Sequence, residues 1–327
     1  MPDATLDPRA AVARLRRATR VLVTSHSAPD GDAIGSELGL AELAHALGVE
    51  TTIINRDPHP ASLSFLPGLE TIRVEESLPP DLPGRFDLAV VLECPGLDRP
   101  GLAGIDRIPI LNVDHHLDNP NYGEVNYVDT DAPAVGELVL AMFGAAGVAL
   151  TPAAATNLYT ALVTDTGDFR YSSATPRAFA AAERLVAAGA RPHEIAEALW
   201  EHNPARVIRL TAAVLSTLEL LADGRLAVVQ CDRATLEAVG ARPEDSENLI
   251  NIPRSIDGVR VAAFFKAFRD GVVRVSLRSR DEVDVQAVAR EFGGGGHRNA
   301  AGCSVPGTLA EAREQVLARL LPVVESS

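Results

Sequence analysis

The sequence predicts an α/β protein of two domains: an N-terminal domain on a mostly parallel sheet with helices on both faces, then a smaller α/β domain. Three observations predict it. Through the first half, short apolar runs alternate with helix-like stretches, the pattern of strands joined by crossover helices. Two of those runs, Val21–Thr24 and Ile108–Val113, end in clusters of His and Asp, and in an open α/β sheet the carboxyl ends of strands are where ligands bind. Finally, 327 residues, 46% of them hydrophobic, are enough for two cores.

In chain order, Val21–Thr24 reads as the first strand and Ala33–Leu47 as the helix after it. Further strands fall at Thr51–Ile54, Leu88–Leu92 and Ile108–Val113, and a helix at Ala134–Ala146. From Thr151 to about Leu220 the pattern is helical, with Thr151-Pro152, Thr175-Pro176 and Asn203-Pro204 as start signals. Ala-Arg-Pro and Asn-Pro breaks between Gly189 and Asn203 mark a connection. The expected domains are therefore 1–188 and 204–327, with 189–203 as linker. Beyond it, Arg225–Gln230, Val259–Phe268 and Val272–Arg278 read as strands, the last two joined by the hairpin signal Arg269-Asp270-Gly271. Asp284–Phe292 is a short helix leading into four glycines.

Composition narrows the function. A net charge of −14 argues against a broad basic surface for long DNA or RNA. It leaves room for a short nucleic acid, because bound divalent cations would reverse the sign of the site itself. Cys94, Cys231 and Cys303 are widely spaced and form neither a disulfide framework nor a zinc knuckle. Met1–Arg20 lacks an apolar signal core, and no stretch approaches the ~18 apolar residues of a membrane span. The expectation is a cytoplasmic protein with no membrane partner.

Five groups carry chemistry. His26, Asp30 and Asp32 follow the first strand, with Gly31 between the carboxylates. Asp30 alone would read as a helix cap; the three together read as metal ligands, with the next helix start open to an anion. Glu93 ends Leu88–Leu92 and is informative as a further strand end carrying an acid. Asp114-His115-His116 ends the fourth run. Adjacent side chains on an extended backbone diverge, so one imidazole can ligate metal while the other meets a phosphate, with Asp114 orienting a ring. Asp165, at a helix C-terminus, sits where the macrodipole favours cations, a misfit that points to function; Asp168 could brace the loop after it. In the second half, Arg278 and Arg280 precede Gly293–Gly296 and His297. There, glycines can let backbone approach a phosphate and the cations can add charge-assisted hydrogen bonds.

In this order the groups resemble the DHH phosphoesterase superfamily, and Gly293-Gly-Gly-Gly-His297 resembles the signature of its DHH-associated C-terminal domain. The resemblance spans about residues 15 to 320 and is most similar to the nanoRNase/pAp-phosphatase branch. It implies hydrolysis of very short RNA to 5′-mononucleotides, removal of the 3′-phosphate of 3′-phosphoadenosine 5′-phosphate, or both. It also implies two divalent ions, manganese first with magnesium or cobalt as alternatives. By the same resemblance His26 and Asp30 hold one ion, Asp32, His115 and Asp165 the other, and Glu93 bridges them where the family usually has aspartate. Asp114 and His116 match the catalytic and phosphate-contacting positions. Arg278, Arg280, Gly294, Gly295, Gly296 and His297 match those that hold substrate. A homodimer is compatible with the resemblance.

Two other readings stay open: a phosphodiesterase for cyclic dinucleotides or linear products such as pApA, and a nucleotide-binding sensor with weakened catalysis, for which the departure at Glu93 is the argument. A nucleic-acid-binding module without chemistry conflicts with the charge and with aromatics at 4%.

Overall fold

Six strands pair in the order β3-β2-β1-β4-β5-β6, all parallel, in the first sheet of this computed structural model. They are β1 (Arg20–Thr24), β2 (Glu50–Asn55), β3 (Arg73–Val74), β4 (Leu88–Leu92), β5 (Ile110–Asp114) and β6 (Val125–Val128). Residues 7–247, 249–269, 271–280 and 283–325 are described. The helices around this sheet are α1 (Pro8–Leu15), α2 (Gly31–Ala46), α3 (Leu82–Arg85), α4 (Val135–Ala146), α5 (Pro152–Asp165), α6 (Pro176–Ala187) and α7 (Pro192–Ala196). Together they form one unit, Met1–His202; the second is Asn203–Ser327.

Side-chain alternation divides the first core. Val21, Val23, Val90 and Val113 pack with α1, α2, α4 and α5, while Leu22, Ala89 and Val91 pack on the other face with Leu82 of α3, Leu102 and Ile105. Each fully buried Val or Leu contributes on the order of 2 kcal/mol. The strand order reverses at β1 and β4, which lie side by side. That makes a crevice at their carboxyl ends, where His26 and Glu93 follow.

Helices α2 and α5 approach each other closely. A Cβ on Gly35 would lie 2.3 Å from the Asn157 carbonyl oxygen, and one on Gly31 would lie 2.4 Å from the Thr164 hydroxyl. Only glycine allows the two helices this near, and the contact brings the start of α2, with Asp30 and Asp32, beside the end of α5, with Asp165.

The second unit carries α8 (Ala205–Leu215), β7 (Glu219–Leu221), β8 (Leu226–Asp232), α9 (Arg233–Val239), α10 (Asn251–Arg254), β9 (Val261–Arg269), β10 (Val272–Ser279), α11 (Val285–Glu291), β11 (Gly295–His297), β12 (Ala300–Pro306) and α12 (Leu309–Glu325). Its sheet runs β11-β12-β10-β9-β8-β7, with β8 and β9 the parallel pair. One face packs on α11 and α12; the other packs on Leu210, Leu236 and Ile250.

Several elements differ from the sequence reading. The segment expected as linker is helical over α7 and the π-helical turn Glu197–Glu201, and Ile195 is buried in the first core. The segment's apolar residues, Ile195, Leu199 and Trp200 among them, are few and lie between the Ala-Arg-Pro and Asn-Pro breaks, so no sustained helical period shows. The glycine run, given no element of its own in the sequence reading, forms β11 in part. Asp270, in the expected hairpin turn, lies outside the described residues.

Candidate metal centre

The site grows from four chain segments that end at the same edge of the first sheet. At the end of β1, His26 turns Nδ1 to the Ser27 carbonyl at 2.9 Å. A carbonyl only accepts, so Nδ1 carries the proton and Nε2 presents a lone pair. That Nε2 lies 3.3 Å from Glu93 Oε2 and 4.0 Å from Asp30 Oδ1.

Asp30 is a helix cap as well: its Oδ1 accepts the backbone N–H groups of Asp32 and Ala33 at 3.0 and 3.1 Å. Asp32 is fully buried in the first turn of α2. Its carboxylate accepts from Ser36 Oγ at 3.0 Å and from the first N–H groups of α4, Val135 at 2.7 Å and Gly136 at 2.9 Å. Helix α4 has no capping side chain of its own, so Asp32 serves as its cap from another element.

Glu93 leaves β4 with φ of 56°, a left-handed backbone that costs a non-glycine residue on the order of 1 kcal/mol. This turn directs a nearly buried carboxylate whose Oε2 has no hydrogen-bond partner. On the other side, His115 holds Nδ1 against the Ala132 carbonyl at 3.1 Å and aims Nε2 at Asp165 Oδ2, 3.7 Å away. His116 diverges, its ring at 88° to that of His115, and its Nδ1 meets Asp114 Oδ1 at 2.8 Å.

Among the described residues three sets bring their ligand atoms within 4.8 Å of one another: His26, Asp30 and Glu93; Asp32, His115 and Asp165; and Glu93, His115 and His116. Glu93 and His115 each belong to two sets, so the groups form one continuous cluster.

Electrostatics shows what that cluster lacks. Burial raises Asp32 to about 7, with Asp165 adding repulsion and His115 opposing it. Glu93 is pushed well up by burial and then by Asp30, Asp32 and Asp165. Asp165 rises through burial, against the pull of His115. Burial lowers His115, but the charges of Asp32 and Asp165 outweigh it and the imidazole ends above its ordinary value. Crowded acids and imidazoles, an unpartnered buried oxygen and Nε2 lone pairs aimed inward fit hard divalent cations with mixed oxygen and nitrogen ligands.

Asp114 behaves differently. Burial alone would raise it, yet the hydrogen bond and charge of His116 and the Asn119 amide bring it below the usual carboxylate range. Asn119 also donates to Asn112 Oδ1 at 2.9 Å, Asn112 donates to the Tyr122 hydroxyl at 2.9 Å, and Tyr122 donates to the Cys94 carbonyl at 2.9 Å. The sequence reading contains none of Asn112, Asn119 or Tyr122. An Asn inside the apolar β5 run is the one signal that could have revealed this braced network.

The second unit holds the other expected residues. Arg278 donates to the Leu277 carbonyl at 3.0 Å, and Arg280 is exposed just past β10. The Gly294 N–H donates to the Ala289 carbonyl, so this amide is engaged within the fold rather than open to a phosphate. A Cβ on Gly294 would lie 2.2 Å from the Gly302 carbonyl oxygen, so the first role of Gly294 is close packing. Gly295 and Gly296 pair with β12 opposite Gly302 and Ala301. A cavity of about 410 Å³ opens beside them, lined by Arg274, Ser276, Gly293, Gly294, Gly302 and Ser304 among others. The side chain of His297 lies outside the described residues.

With this geometry in hand, the comparisons agree with one another. Residues 20–162 match the DHH family N-terminal domain and residues 224–326 the DHHA1 domain. A Thermus thermophilus protein described as a bifunctional oligoribonuclease and PAP phosphatase NrnA is 35% identical over 303 residues, 91% of this chain and 88% of that one. A Bacillus subtilis protein of the same description is 29% identical, covering 87% and 89%. The crystal structure of an exopolyphosphatase-related protein from Bacteroides fragilis superposes with a TM-score of 0.86 at 25% identity, covering 97% of each chain. The strand-end clusters and the glycine-rich hairpin are thus parts of one inherited architecture, and the chain belongs to the DHH family of phosphoesterases.

Proposed function

We propose that this hydrolase degrades RNA fragments of a few nucleotides to 5′-mononucleotides and removes the 3′-phosphate of 3′-phosphoadenosine 5′-phosphate, using two divalent ions, manganese first. The observation that carries the reading is the facing of His26 Nε2 and Glu93 Oε2 at 3.3 Å. The Glu93 carboxyl is buried and the His26 ring partly so, a contact that a cation between them relieves. The activities named for the 35% identical relative support the substrates.

In this reading His26 and Asp30 hold one ion, Asp32, His115 and Asp165 hold the other, and Glu93 reaches both. Two bound divalent ions lower the pKa of a shared water and neutralise charge on the attacked phosphate. The chain's own contribution is orientation. The Ser27 and Ala132 carbonyls fix both ligand imidazoles with Nε2 inward. Asp114 and Asn119 brace His116, which as an imidazolium can donate through Nε2 to a phosphate oxygen or to the departing ribose oxygen.

Arg278, Arg280, His297, Gly295 and Gly296 are the candidates for holding substrate in the second unit, with Gly294 supporting them through close packing. A net charge of −14 favours short substrates over long DNA. The three cysteines are free and buried, which suits a reducing cytoplasmic setting.

The test is a panel from dinucleotides to decanucleotides of RNA, with 3′-phosphoadenosine 5′-phosphate, pApA and cyclic di-AMP alongside, under each divalent metal in turn. Release of mononucleotide and phosphate with manganese is expected. Turnover confined to pApA or cyclic di-AMP would replace the substrate assignment, and binding without turnover under every metal would overturn the enzyme reading.

A further inference from the structure

We infer that Arg177 is a positioning residue that holds Asp32 and His115 in place from outside the metal centre; the inference rests on the two-ion reading above. Arg177 stands in the first turn of α6 and divides its guanidinium between two acids. Nη1 donates to Asp129 Oδ2 at 2.6 Å and Nη2 to Glu137 Oε2 at 2.5 Å. The arginine is about one-third exposed and both acids less so, so these bonds are partly shielded from water.

The two acids belong to different supports of the same ligand set. Asp129 follows β6 and organises the turn there. Its N–H donates to the Asp114 carbonyl, its carbonyl accepts from the Ala132 N–H, and its Oδ1 accepts from the Asp131 N–H. That turn presents the Ala132 carbonyl that fixes the His115 ring. Glu137 lies in the first turn of α4, whose Val135 and Gly136 N–H groups hold the two oxygens of Asp32. One guanidinium therefore ties the support of His115 to the support of Asp32. The bonds that orient His26 and Asp30, to Ser27 and to the start of α2, run through neither acid.

Removing the cation leaves Asp129 and Glu137 facing each other as like charges, and both supports relax. Lysine would restore charge without the planar fork that bridges two carboxylates.

Manganese binding to the metal-free full chain, followed by the electron paramagnetic resonance of the free ion, tests this without relying on turnover. Wild type is expected to show two classes of site. Arg177→Gln is expected to weaken one class by about tenfold or more and leave the other within about twofold, the size seen when support behind a ligand is lost. Arg177→Lys should fall between them. If Arg177→Gln does not fold, the neutral combination Asp129→Asn, Glu137→Gln, Arg177→Gln removes the repulsion and should show the same one-class loss. An unchanged isotherm, or equal weakening of both classes, overturns the role of Arg177. A wild-type chain that binds no manganese overturns the metal reading itself, a result visible before any variant is made.

Discussion

His26 Nε2 and Glu93 Oε2 face each other at 3.3 Å across the crevice where the first sheet reverses its strand order. The proton of His26 is held on its far nitrogen by the Ser27 carbonyl, so its Nε2 lone pair faces a buried carboxyl oxygen that has no hydrogen-bond partner. A fold keeps such a contact when a cation is its usual occupant.

The first expected outcome follows from that pair. Glu93→Gln keeps shape but removes charge, and should lower kcat/KM by more than about 100-fold, beyond the loss of a supporting hydrogen bond. The metal-free variant should melt at a higher temperature than metal-free wild type near pH 8, because burial and neighbouring acids disfavour ionised Glu93. Lower stability together with lost activity would contradict the account. Glu93→Asp should retain activity with an altered metal preference, since it shortens the bridge by one methylene.

Stability should also depend on pH through Glu37, a buried acid behind the site. Burial raises it to about 7 from 4.5, against the pull of Ser25 and Asn55. A group that holds its proton more tightly when folded contributes fully below its unfolded pKa, and that contribution is lost as pH rises toward the folded value. Glu37→Gln should therefore flatten the decline between pH 4.5 and 7, an amplitude of roughly 3 kcal/mol at most. Urea midpoints of both metal-free proteins across that window measure it, and parallel curves would rule the assignment out.

Asp114→Asn should separate metal binding from chemistry. It leaves the ligand sets intact but takes the carboxylate from His116 Nδ1. A fall in kcat of about 100-fold or more is expected, in the range of losing an oriented proton donor. Manganese stoichiometry should stay the same; its loss would move Asp114 into the ligand set.

Gly35→Ala tests the helix approach. Its Cβ would meet backbone, the Asn157 carbonyl oxygen at 2.3 Å, so α2 and α5 must part. Overpacking of this kind costs about 1–3 kcal/mol. Manganese affinity should fall with the melting temperature, because Asp32 and Asp165 ride on the two helices. Unaltered metal affinity would show that the ligands do not depend on this contact.

Arg280→Ala is expected to raise KM for a short RNA several-fold at unchanged manganese affinity, as for a lost charge-assisted bond to phosphate. Kinetics on one trinucleotide with a parallel metal titration decide it. A fall in kcat alone would place Arg280 elsewhere in the cycle.

What could be read in the sequence follows burial. Central strands β1, β4 and β5 are apolar along most of their length and announce themselves, as do the His and Asp that interrupt them. The strands that escaped include all four sheet edges, β3, β6, β7 and β11; an edge has a neighbour on one side only and needs no continuous apolar run. Asp165 and Glu93 gain meaning only from neighbours far along the chain. Asn119 and Arg177 were illegible for the same reason, since their roles exist only once β5, β6, α4 and α6 are side by side. In the glycine run the residue types were legible but not their use: the Gly294 amide is engaged by Ala289.

The left-handed turn at Glu93 has a consequence for how this architecture can change. Asp30, Asp32 and Asp165 are carried on helix ends that a glycine-mediated contact locks together, so none of them can shift without its neighbours. Glu93 hangs from a strand end by a single unusual backbone torsion. It is a setting that can be turned without moving the helix-borne acids, and a lineage that alters its ion or its reach would be expected to do so at this residue.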